Sequence, residues 1–270
     1  MTELNNISLL KIAQEILSEV DNICLVIESN FSNYSKGSKK ICALLFKQIH
    51  GLVTAILLLC EKGLFNEARI LTRSLVEVTA YLLYISDTDS EERVNLYRHS
   101  QALSEKIAVD EFNLSLTKNE VKVKIEFYEK IEQEALRYFR KKHGENKTSA
   151  EIRSKYTLTH REAANKLEGN IKKTFDSLYT KFYRPASALA HGQAPLNFAV
   201  QEGQDMRISS TKTSGPQTRI CINTACILML YSLQNLNKLL GLNQAASISK
   251  IEQKFGDLME LVKKGHQSAD

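Results

Sequence analysis

The stretch from Tyr179 to Gly192, YTKFYRPASALAHG, sets Tyr183, Arg184, Ser187 and His191 within two or three helical turns of one another. A histidine that titrates near neutrality can give or take a proton, and an arginine can hold a phosphate that a serine and a tyrosine orient. In an α-helix, residues seven apart share a face about 10 Å along the axis, and Arg184 and His191 have that spacing. Tyr183, Ser187 and His191 make a second stripe at i, i+4 and i+8. Gly192 is suited to end the helix as its left-handed residue, which would leave His191 at a C-terminus whose dipole favours the protonated imidazole. These residue types suit general acid–base chemistry on a phosphodiester. Pro185 interrupts the pattern, because it offers no N–H to Lys181 and disfavours helical geometry at Arg184; a kink or a fresh helix start is expected there.

A second stripe lies near residue 70. Arg69, Arg73, Glu77 and Tyr81 recur every four residues on a helix whose other faces carry Ile70, Leu71, Leu75, Val76, Val78 and Leu82. Burying either charge alone would cost on the order of several kcal/mol. Arg73 and Glu77 are therefore expected to meet each other or the Tyr183/Ser187/His191 stripe. Two roles fit: a buried ion pair that fixes helix register, or a division of labour in which Glu77 orients His191 and Arg73 holds phosphate. A third cluster, Arg140, Lys141, Lys142 and His143 beside Tyr138 and Phe139, suits either phosphate contact with base stacking or a solvated helix end.

The elements that must position these groups are helical. Proline occurs three times and glycine eleven times in 270 residues, so long helices can run with little interruption. Leu9, Ile12, Ala13, Ile16, Leu17, Val20, Ile23 and Val26 give an amphipathic helix over 8–30. A polar loop follows, and 40–61 is apolar nearly all round, as a central bundle helix would be, with His50 read as a satisfied core histidine. Gly63 should end it and Asn66 or a neighbour should cap a helix to about Ser86. Glu91 and Glu92 mark the next start, and Thr117/Glu120 and Thr159/Glu162 have capping-box spacing. After Gly192 the text alternates apolar and polar residues around EGQD, the pattern of a small β-hairpin or an ordered loop near 193–216. Two helices, about 218–240 and 246–264, close the chain. The expectation is an all-α multi-helix bundle in one domain, with a core at about 41–240 on which the first and last helices pack.

Composition excludes several classes. The chain is 43% hydrophobic, enough for a core. The N-terminal residues carry Glu3 and Glu15 and lack the positive n-region of a secretory signal, and the uncharged run His50–Cys60 is about half the roughly 20 residues of a membrane span; no membrane association and a cytoplasmic location are expected. The five cysteines form no metal-ligand pattern and read as reduced core residues. No phosphate loop, HExxH, GxSxG or EF-hand occurs, and no cofactor is expected. The net charge is +5, yet Arg137–Arg184 holds thirteen Lys/Arg against five Asp/Glu, a local +8 that leaves −3 for the rest. Such asymmetry fits either a polyanion-facing surface or a solvated face.

An Arg-x(4–6)-His pattern is the hallmark of the HEPN superfamily of small helical proteins, many of them metal-independent ribonucleases of toxin and defence systems. Arg93/His99, Arg137/His143 and Arg153/His160 also have it, but only Arg184/His191 lies in a mainly apolar helix that ends at glycine. Over roughly residues 41–240 the LTRSLVE segment (Leu71–Glu77) and the Tyr183/Ser187/His191 helix resemble a bacterial family of HEPN-like domains of unknown function. The resemblance carries over Arg73, Glu77, Tyr183, Ser187 and His191, while Arg184 rests on the broader superfamily pattern, whose usual polar residue after the arginine is here Pro185. It implies a homodimer with two motifs facing each other, and a cognate antitoxin or other partner protein. Two functions stay open: a metal-independent endoribonuclease with His191 as acid–base and Arg184 or Arg73 stabilising the phosphorane, or a non-catalytic helical module that binds RNA or protein around a polar Arg/Glu/His core network.

Overall fold

In the first helix the apolar spacing fixes which side is buried. Leu9, Ala13, Ile16, Val20, Ile23 and Ile27 recur at alternating intervals of four and three and are all sealed from solvent, the stripe that a helix packed along its length requires. The computed structural model describes residues 2–88, 90–112, 118–184, 186–187, 199–202, 205–208 and 215–267. Among these residues ten α-helices follow in order: α1 (Thr2–Asn30), α2 (Gly37–Glu61), α3 (Phe65–Ser86), α4 (Glu91–Phe112), α5 (Lys118–His143), α6 (Ser149–Lys155), α7 (His160–Asn165), α8 (Gly169–Leu178), α9 (Gly215–Leu240) and α10 (Ala245–Gln267). A π-helical turn, Tyr179–Tyr183, continues α8. The one sheet among the described residues is the antiparallel hairpin β1 (Ala199–Glu202) and β2 (Asp205–Ile208), in register from Ala199 opposite Ile208 to Glu202 opposite Asp205. The fold is all-α, as expected, and of the two alternatives for the insertion, hairpin or ordered loop, the hairpin forms.

The chain folds into two compact units, 1–89 with 164–270 and 90–163. In the larger unit α2 is the hub, packing on α1, α3 and α9, while α1 also meets α9 and α10. Its inner face buries Cys42, Phe46, Ile49, Val53, Ile56 and Cys60. Among the described residues α2 is the one helix long and apolar enough to cross a membrane, with a mean hydropathy of 1.9 over its best window, and 44% of that window is buried inside the fold. It begins at Gly37, so the polar loop before it is shorter than the sequence suggests. None of the five cysteines is in a disulfide, and all five are buried. The hydrogen bond between Cys60 and Cys221, followed by burial, raises the Cys60 thiol pKa well above its usual range, and the same bond lowers that of Cys221.

Gly63 ends α2 as expected. Its φ of +74° is left-handed, and the Leu64 N–H bonds the Leu59 carbonyl at 2.8 Å while the Gly63 N–H bonds the Cys60 carbonyl at 3.2 Å. This pair of bonds is a Schellman turn, which satisfies carbonyls that the helix end would otherwise orphan. It reverses the chain so that α3 runs back along α2. Asn66 does not cap α3; Leu64 occupies that position without a side-chain bond, and Asn66 is buried in the first turn. His50 is satisfied, as expected, though at the margin of the core: its side chain is largely covered and its Nε2 lies 2.6 Å from Asp21 Oδ1 on α1.

The smaller unit packs α4 on α5, with α6 against the end of α5. Leu103, Ala135, Leu136, Phe139 and Ile152 form its core. Ser100 ties in the loop after α6 by accepting the Leu158 N–H at 2.8 Å. The Thr159/Glu162 capping box forms: the Thr159 N–H donates to Glu162 Oε2 at 2.8 Å and the Glu162 N–H to Thr159 Oγ1 at 3.2 Å. Thr117 lies outside the described residues.

Replacing Gly63 with alanine would force a Cβ into a left-handed position. The expected outcome is a loss of about 1–2 kcal/mol of unfolding free energy, measured by urea denaturation.

Candidate functional site

α3 presents Arg73 and Glu77 one turn apart on the same side, both half-buried, and against them sits the π turn that follows α8. Two features of the sequence place that turn. Phe175 is fully buried and anchors α8. Beyond it, Pro185 could not have continued an ordinary helix, since its ring would collide with the carbonyl four residues back. The helix widens before that point: the Arg184 N–H bonds Tyr179 O, five residues back. Such π turns concentrate at functional sites.

The widening decides the geometry of the next residues. Arg184 has φ −60° and ψ −49°, so it is helical and not the extended cap that a restart at Pro185 would have made it. Its side chain is exposed, Tyr183 is buried, Ala186 is buried and Ser187 is half-buried. Pro185 and His191 lie outside the described residues.

Tyr183 reaches across to α3. Its hydroxyl donates to Glu77 Oε1 at 2.6 Å, and the same oxygen accepts from Arg73 Nη2 at 3.1 Å. The Arg73 guanidinium also lies over the Tyr183 ring, 5.2 Å from its centroid, a cation–π contact strengthened by exclusion of water. Tyr179 stacks on Tyr183 with centroids 5.0 Å apart. One oxygen of Glu77 thus serves two donors, and one aromatic ring serves an arginine and a tyrosine. The network leaves the Arg73 Nε buried without a hydrogen-bond partner. Burial first, then the bond to Glu77, pushes the Tyr183 hydroxyl up to about 12, so at neutral pH it remains a donor.

Arg73, Glu77 and Tyr183 thus meet, as the need of buried charges for partners leads one to expect. Nothing in their spacing specifies that Tyr183 and Arg73 share a single Glu77 oxygen. The residue that the sequence pattern did not single out is Tyr179, whose signal is the i, i+4 spacing to Tyr183 in YTKFY.

The basic cluster is in the smaller unit and is largely engaged with its own chain. Arg140 Nε donates to the Lys147 carbonyl at 3.2 Å, Lys142 pairs with Glu92, and Lys141 is exposed. The aromatic neighbours expected to stack a base are internal. Phe139 is fully buried, Tyr138 stacks on His99 at 4.4 Å and His143 on Tyr156 at 4.2 Å. Burial lowers the His99 pKa. Further along, Lys147 and Lys155 pair with Glu151, Arg153 with Glu132 and Lys172 with Asp176. Glu92 and Glu132 precede the basic segment, so part of its excess charge is compensated by carboxylates from outside it.

Residues 39–205 match the model of a family of unknown function, DUF5677. The chain belongs to this family. No curated protein and no solved structure matches it. The DUF5677 segment runs from the first turn of α2 to the start of β2 and contains every residue of the Arg73–Glu77–Tyr183 network together with Arg184, Ser187 and His191. The helices α1, α9 and α10 lie outside the match, although α1 and α9 pack directly on α2.

The raised Tyr183 hydroxyl sets a pH dependence. Its pKa is higher folded than unfolded, so its contribution is complete below about pH 10 and is lost as pH rises towards 12. Tyr183→Phe is expected to cost about 1–2 kcal/mol at neutral pH by leaving Glu77 short of a donor, and to flatten the fall in stability above pH 10. Chemical denaturation of both proteins across that range measures it.

Proposed function

We propose that this DUF5677 protein is an HEPN-like, RNA-directed protein that cleaves RNA without a metal ion. In this reading the exposed Arg184 contacts the scissile phosphate and stabilises charge on the phosphorane, and His191 acts as general acid–base on the 2′-OH or the leaving oxygen. Arg73, Glu77 and Tyr183 are positioning residues: their network clamps the helix that carries Arg184 onto α3. The observation that carries this assignment is the helical geometry of Arg184 beside a buried Tyr183. It keeps the guanidinium outside and the anchor inside on consecutive residues.

A second reading has its own support. Glu77 Oε1 is fully engaged by Tyr183 and Arg73, as it would be in a module that binds RNA or a partner protein without cleaving it. The two readings separate in one assay. Transfer and messenger RNA incubated with the protein in EDTA should be cleaved, with His191→Ala and Arg184→Ala each slowing cleavage by at least about 100-fold. Tyr183→Phe should reduce the rate less and raise the temperature sensitivity of activity. RNA that is retained on the protein but stays intact supports the binding module; cleavage unaffected by either His191→Ala or Arg184→Ala overturns the mechanism.

A further inference from the structure

Two of the five buried cysteines meet each other. Cys60 sits in the last turn of α2 and Cys221 in the second turn of α9, and their thiols are hydrogen-bonded where the two helices pack together. No side chain stands between the two sulfurs. Each is firmly held: the Cys60 carbonyl accepts the Gly63 N–H in the Schellman turn, and Cys221 is fully buried next to Ile222, which is sealed as well. Cys60 is the less covered of the two, at 7% exposed, so the pair opens towards solvent at the end of α2.

The remaining cysteines are placed differently. Burial pushes the Cys24 thiol up to about 11 and the Cys226 thiol up to about 12, so both stay protonated at neutral pH, where a thiol is a poor nucleophile. The Cys42 thiol donates to the Leu82 carbonyl at 3.9 Å. At Cys221 the bond from Cys60 favours the thiolate, and Thr72 and Arg69, one turn apart on α3, add to it against the opposing effect of burial. An anionic sulfur in an electropositive setting and a second thiol in contact with it are the two parts of a redox pair, one to attack and one to resolve.

We infer that Cys60 and Cys221 form a reversible disulfide when the protein meets a hydroperoxide, which makes the α2–α9 contact a site of oxidative modification. The Cys221 sulfur attacks a peroxide oxygen as the thiolate. The O–O bond breaks, Cys221 becomes a sulfenic acid, and the hydroxide that leaves takes up the proton Cys221 gave away. The Cys60 sulfur then attacks the Cys221 sulfur; the S–S bond forms as the S–O bond breaks, and a second water leaves with the Cys60 proton. Two thiols thus lose two electrons and two protons, and hydrogen peroxide is reduced to two waters. The cross-link joins the two ends of the segment that contains the Arg73–Glu77–Tyr183 network, which restricts the unfolding of that segment. It is independent of the RNA-directed reading.

Peptide mapping of the full chain, reduced and then exposed to hydrogen peroxide at neutral pH, tests this. The expected result is a linkage between the Cys60 and Cys221 peptides that dithiothreitol reverses, with the thiols counted in denaturant falling from five to three. Cys221→Ser should slow oxidation at Cys60 at least about tenfold, while Cys60→Ser should leave a Cys221 sulfenic acid that dimedone captures. The wild-type map decides the matter even if neither variant folds. Oxidation that begins at Cys24, Cys42 or Cys226 overturns the proposal, as does a folded chain that keeps all five thiols under peroxide sufficient to oxidise free glutathione. A linkage that forms only after denaturation, or oxidation at Cys60 that is undiminished in Cys221→Ser, overturns it as well.

Discussion

A carboxylate carried on the flank of a largely apolar helix must be met by donors, and that requirement at Glu77 organises the packing of the π turn on α3. Arg73, one turn earlier, supplies one donor from α3 itself. The other comes from Tyr183, 106 residues later in the chain. Because the tyrosine bond is between two groups largely out of water, its loss would leave a charge undersolvated, and this makes it a firm attachment for the segment that follows α8. Arg184 inherits its exposure from that attachment.

The attachment depends on how the helix copes with Pro185. An uninterrupted α-helix from Gly169 would rotate Tyr183 by the ordinary 100° per residue, and a break would release Arg184 from helical geometry. The π turn takes neither course. One wider turn between Tyr179 and Tyr183 keeps the helix continuous through Arg184 while bringing the two tyrosine rings into a stack against Arg73.

Around this, the larger unit is held by α2. A helix this apolar is usually sealed on every side, yet less than half of its best window is buried. The inner half accounts for the packing on α1, α3 and α9, and the Schellman turn at Gly63 fixes the return of α3 that presents Arg73 and Glu77 to the π turn. The outer half is left with leucines and a glycine that the fold does not use. A single element therefore both packs the larger unit together and turns α3 back so that it carries the polar network.

Much of this was present in the residues. Apolar periodicity specified α1 and most of its buried stripe, glycine chemistry specified the end of α2, and the Thr159/Glu162 pair specified a capping box, because each is a local rule acting within a few residues; alternation around EGQD left a hairpin and an ordered loop as alternatives, of which the hairpin forms. The rule that charges need partners also led one to expect Arg73 and Glu77 to meet each other or the Tyr183/Ser187/His191 stripe, and both the mutual pair and the bond to Tyr183 form. What only the tertiary structure decided were matters of competition between distant groups. Asn66 lost the cap position to burial in the first turn, His50 found Asp21 on a neighbouring helix, and Tyr138 and His143 spent their rings on His99 and Tyr156. The π turn belongs to the same class. Proline chemistry leads one to expect a break near residue 185, whereas a π turn upstream that sets Tyr183 against Glu77 is visible only once α3 is in place.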